Sequence, residues 1–175
     1  MVARILARCG CGPHGKRTDF TAGKKDRGKG LESQSEDGDP SMLAKSLQSG
    51  KAIKCVAVFN TPVGANPPGP ITPGAAYEVT ISAVPGDRLS RTTMMGQSND
   101  WFYAPAESGI ELFKNGKPIG GDITSQIILR DAGTEVNQEP GIGPDQDHDK
   151  RRPTPEKPRT ASCATPRMSN TAALI

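Results

Sequence analysis

The chain has 175 residues, enough for one domain, yet 20 Gly, 16 Pro and 4% aromatic residues are poor material for a core of that size. Its formal charge of +3 is a composite: residues 1–30 carry 8 Lys+Arg against 2 Asp+Glu, residues 31–148 carry 8 against 15, and residues 149–175 carry 6 against 2. An acidic middle between basic tails makes the pI near 8.7 a property of the tails, and no zinc-finger spacing, phosphate-binding glycine loop or basic cluster interleaved with aromatics points to nucleic acid.

In chain order, residues 1–30 show no period of 2 or 3.6 and are expected to be a disordered basic tail. Cys9 and Cys11, with His14 nearby, lack a second ligand pair for zinc and read as thiols of that tail. Val2 to Arg8 begins like a signal peptide, but Arg4 and Arg8 interrupt its short apolar run, and no stretch approaches the ~20 apolar residues that cross a bilayer. Order is expected over 31–146, beginning with one short helix: Asp39 as cap, Pro40 at its first position, Met42, Leu43 and Leu47 on one face, Gly50 as the stop. Glu36, Asp37 and Asp39 suit the positive end of that helix dipole.

Ala52 to Phe59 reads as a strand in which Cys55 is a small buried residue, and Pro62 to Gly74, with five prolines, reads as an extended loop. Tyr77, Val79 and Ile81 alternate with polar residues, predicting a strand that pairs across the Pro85-Gly86-Asp87 turn with Leu89 to Met95. Asn115-Gly116 predicts a tight hairpin, and Ile123 to Leu129 a last strand. The tail 147–175, rich in Pro, Ser and Thr, is expected to be disordered. Short strands separated by turns argue for an all-β chain, an antiparallel β-sandwich with one short helix.

The chemistry concentrates in Gln97 to Pro105, which holds the only Trp, and in Asp131-Ala132-Gly133-Thr134-Glu135. Asp100, Asp131 and Glu135 stand where predicted strands give way to loops, and such ends gather at one pole of a sandwich. Three converging carboxylates repel without a cation, whereas Ca²⁺ takes 6–8 oxygens from such groups; oxygen-only ligands favour Ca²⁺, then Mg²⁺, over zinc. Asn99 and Thr134 offer neutral oxygens. The alternative is that Asp100 and Asp131 cap turns through the backbone and Glu135 is solvated. Of Trp101, Phe102 and Tyr103, alternation in a strand would expose at least one; two are expected in the core with the third on a loop, the alternative being an exposed aromatic that anchors a partner. The histidines, His14 and His148, lie in or beside the tails, so no nucleophile and base are paired; a carboxylate hydrolase acting on carbohydrate or ester is the alternative to a non-catalytic module.

Glu36-Asp37-Gly38-Asp39-Pro40, Val58-Phe59-Asn60-Thr61-Pro62, Pro85-Gly86-Asp87-Arg88-Leu89-Ser90, Gln97-Ser98-Asn99-Asp100, Phe102-Tyr103-Ala104-Pro105 and Asp131-Ala132-Gly133-Thr134-Glu135 together resemble the bacterial spondin-domain proteins, over about Phe20 to Gln146. The resemblance implies a sandwich similar to calcium-dependent lipid-binding modules, with Ca²⁺ ligands at Asp100, Asp131 and Glu135. It also implies an extracellular or periplasmic adhesion or matrix module whose partner is a protein or glycan. Two positions depart: Arg130 stands where the family places Trp, and Arg91 where it places an apolar residue. The likeness stops abruptly at both ends, which reads as a truncated or frameshifted form of such a domain, exposed at its edges and marginally stable.

Overall fold

The computed structural model describes residues 5–11, 19–50 and 52–143; the others, His14, His148 and Cys163 among them, lie outside the described residues. The described chain is mostly strand, with two short helices. Strands β1 (Ile5–Cys11), β2 (Ile53–Phe59), β3 (Asp87–Met94), β4 (Trp101–Ala104) and β8 (Ile128–Asp131) form an antiparallel sheet in the order β2-β1-β3-β4-β8. The short β5 (Ile110–Glu111) pairs with β3 beside β4, and β6 (Phe113–Lys114) with β7 (Lys117–Pro118) makes a separate hairpin. Among the described residues no helix is long and apolar enough to cross a membrane.

The expected tail is the first departure: Ile5–Cys11 is a strand, and it lies inside the sheet, with Leu6 opposite Val58 on one side and Thr92 on the other. Composition underrates such a segment because backbone ladders on both sides supply order independently of its side chains. Residues 19–22 are also tied down. Ser90 donates to Asp19 at 2.8 Å, the Ala22 N–H donates to Glu107 at 2.6 Å, and Phe20 packs edge-on against Phe102 at 5.5 Å.

The helix is preceded by another. Helix α1 (Leu31–Glu36) follows Gly30, and α2 (Ser41–Gln48) follows Pro40, while Asp39 accepts from the Ser41 N–H at 3.0 Å and from its hydroxyl at 2.6 Å. The capping chemistry read from the sequence is therefore present one residue outside the assigned cap. Both helices pack on the sheet: Leu31, Leu43, Ala44 and Leu47 meet Phe20, Phe102, Ala104 and Ala132, with Ile53 and Val56 alongside. That cluster is the core, and it excludes water from the face of β4 that carries Phe102 and Ala104.

The strand predicted at Tyr77 to Ile81 does not form; Tyr77 makes one isolated bridge to Pro62 and its ring packs edge-on against Phe59. The reason lies in β3, whose two edges are taken by β1 on one side and by β4 and β5 on the other. Alternation alone cannot hold a segment extended when no ladder position is open to it. Asn115-Gly116 turns the β6–β7 hairpin as expected, both residues at positive φ (51° and 74°), the geometry of a type I′ turn. In the last predicted strand, Thr124–Gln126 forms a 3₁₀ turn instead, because Asp122 accepts from the Thr124 N–H and hydroxyl, and extended pairing starts only at Ile128.

Candidate functional site: a buried acidic pole

β4 and β8 run antiparallel with Trp101 opposite Asp131 and Phe102 opposite Arg130, so the residue before β4 and the last of β8 meet at one end of the sheet. The Ala132 N–H donates to the Asp100 carbonyl at 3.1 Å and extends the ladder by one bond. Beyond it, Gly133 at φ 74° turns the chain back, and Asp131 Oδ1 accepts the Gly133 N–H at 2.7 Å, closing an Asx turn.

Asp100 is the hub of this pole. Its Oδ2 accepts from the N–H groups of Thr134 at 3.0 Å and Glu135 at 3.2 Å, and its Oδ1 accepts from the Asn99 amide at 3.2 Å. Asn99 continues outward: its amide donates to the Val136 carbonyl at 3.1 Å and its Oδ1 accepts the Gln138 N–H at 3.4 Å, while the Gly141 N–H reaches the Gln97 carbonyl at 2.7 Å. The stretch Gln97–Asp100 thus pins residues 134–141 along its length. Such internal satisfaction lets polar groups sit in the interior at modest cost.

The three carboxylates singled out in the sequence are all at this pole and all buried, Asp100, Asp131 and Glu135 being 0%, 2% and 3% exposed. A fourth, Glu36, comes from the last residue of α1 and is 4% exposed. It was legible only as a helix-dipole acid. The Thr134 hydroxyl donates to Glu36 Oε1 at 2.6 Å and lies 3.4 Å from Asp100 Oδ2, so one hydroxyl proton serves two carboxylates from segments far apart in sequence.

Among the described residues, no three His, Cys, Asp or Glu side chains are disposed to hold a metal ion together. Asp131 in particular turns an oxygen into its own Asx turn. What the pole does bring together is the pair Glu36 and Asp100 with the Thr134 hydroxyl, an oxygen-only set of the kind hard cations take, completed in such sites by carbonyls and water.

The two departures from the resemblance are accommodated. Arg130, 6% exposed, stacks its guanidinium over the Phe20 ring at 4.5 Å and donates to the Pro105 carbonyl at 3.3 Å. It fills a place suited to a large flat side chain, and its planar group does what an aromatic would do there. Arg91, half-buried, donates to Thr93 Oγ1 at 3.1 Å, and burial lowers its pKa from the usual range. Trp101 and Phe102 are buried as expected, but Tyr103 is half-buried within β4 rather than on a loop, so none of the three aromatics is fully exposed. Compared with known proteins, the chain matches no family model and no curated protein.

Proposed function

We propose that the chain is a non-catalytic binding module whose acidic pole takes up Ca²⁺. The observation that carries this reading is the hydroxyl of Thr134 shared between Glu36 and Asp100. Two buried carboxylates at that range repel, and a divalent cation relieves the repulsion while using both as ligands. Glu36, Asp100 and the Thr134 hydroxyl would hold the ion, with Asp131 and Glu135 shaping the surrounding turn. The ion would supply charge neutralisation and lock residues 134–136 to α1. On this reading the six-stranded sheet is one face of a sandwich of the kind found in calcium-dependent lipid-binding modules, and the likeness to spondin domains supports an extracellular adhesion or matrix role with a protein or glycan partner.

Thermal unfolding in Ca²⁺, in Mg²⁺ and in chelator tests the reading. The melting temperature is expected to rise in Ca²⁺, less in Mg²⁺, and the rise is expected to vanish in Glu36→Gln. A second reading is favoured by the backbone bonds to Asp100 and Asp131: both acids serve only to cap turns, and the module is metal-free. Identical melting in Ca²⁺ and chelator supports that one.

A further inference from the structure

The dipeptide that turns the β6–β7 hairpin carries chemistry of its own. The chain has six Asn, and only Asn115 is followed by Gly; the others precede Thr61, Pro67, Asp100, Gln138 and Thr171. An Asn side chain is open to attack by the backbone nitrogen of the next residue, which closes a cyclic imide. A β-carbon on that residue crowds the ring, and Gly has none. At Gly116 even an added Cβ would meet nothing within 4 Å, so among the described residues no neighbouring segment blocks the approach.

The hairpin does little to hold the two groups apart. It is a two-stranded sheet joined to no other strand, each strand is two residues long, and such a ribbon is marginal by itself. Lys114 and Lys117, both exposed, stand directly opposite each other across it, a like-charge pair that works against closure. Asn115 and Gly116 are exposed between them. The same cations favour the reaction in a second way, because the attacking species is the Gly116 nitrogen without its proton, an anion that flanking ammonium groups stabilise. Asn99 is the opposite case: it is fully buried, and its amide donates to Asp100 at 3.2 Å and to the Val136 carbonyl at 3.1 Å.

We propose that Asn115 is a site of spontaneous deamidation whose rate is set by the β6–β7 hairpin. The Gly116 nitrogen, having given its proton to water, bonds to Asn115 Cγ; the bond from Cγ to the side-chain nitrogen breaks, and that nitrogen takes up a proton and leaves as ammonia. Water then opens the imide at either carbonyl. One opening leaves aspartate at position 115, and the other leaves isoaspartate, with the main chain routed through the β-carbon. Both products put a carboxylate between Lys114 and Lys117, and the longer main chain of isoaspartate no longer fits a two-residue turn.

Incubation of the full chain in warm, mildly alkaline buffer, followed by digestion and peptide mass spectrometry, tests the proposal. Asn115 is expected to be lost about tenfold faster than Asn60, Asn99 or Asn137, with aspartate and isoaspartate both formed and ammonia released in equal amount. Lys117→Glu turns the like-charge pair into an opposite one and is expected to slow the loss by about two- to fivefold, the change that one cross-strand pair gives. An Asn115 that stays intact while a free peptide of residues 111–120 deamidates would overturn the proposal, since the turn would then protect its Asn. So would loss at Asn60 as fast as at Asn115, or an unchanged rate in Lys117→Glu with the fold intact by circular dichroism.

Discussion

Two stretches of similar polarity have opposite fates. Of residues 98–105, all but Tyr103 are buried, although the stretch opens Ser-Asn-Asp; of residues 61–86, none is buried, although Tyr77, Val79 and Ile81 alternate like a half-buried strand. Hydrophobic pattern does not separate them. Partners do: β4 has β3 and β8 on its edges and α1, α2 and Phe20 over one face, whereas residues 77–86 find both edges of β3 already taken. Burial follows from an open ladder position and a covering layer, and polar residues are carried inside wherever the backbone of the next segment satisfies them.

The largest expected break of that contrast is Phe102→Ala. Phe102 is fully buried between the helices and Phe20, so its truncation should cost about 3–5 kcal/mol in urea denaturation. Asp100→Ala comes next: it strands the N–H groups of Thr134 and Glu135 and should cost about 2–4 kcal/mol, with Asp100→Asn recovering part of it. Arg130→Met keeps the stem packed and loses the stacking on Phe20, for about 1 kcal/mol in the same assay. Tyr103 sharpens the comparison through pH. Its phenol titrates above the ordinary value of about 10 because burial disfavours the phenolate, so the unfolded chain ionises first, and stability falls as pH rises from that value through the folded one. Ultraviolet titration of the native protein should show one tyrosine with a raised midpoint. Smallest is Val79→Asp, on the exposed stretch, which should change stability by no more than about 0.5 kcal/mol.

Much of this was legible in the sequence, for identifiable reasons. β2, β3, the Asn115-Gly116 turn and the site of α2 carry strong local signals: apolar runs, turn dipeptides and an Asp-Pro start. So does the meeting of Asp100 with Asp131, because both sit at strand ends that antiparallel pairing brings together. What was not legible depends on contacts between distant segments. Ile5–Cys11 becomes a strand because β2 and β3 leave a gap between them, and Glu36 joins the pole because α1 packs over β4. The register of Phe102 against Arg130 also explains how a cation replaces an aromatic, since that position faces Phe20. No local pattern in the sequence encodes that neighbour.

The acidic pole remains the centre of the account, and calorimetric titration with Ca²⁺ tests it most directly. Folded wild-type chain is expected to give saturable heat at one ion per chain, lost in Glu36→Gln and in Asp100→Asn and weakened in Thr134→Val. Folded wild-type chain that gives no heat with Ca²⁺ would contradict the proposed cation site and leave Asp100 and Asp131 as turn caps alone.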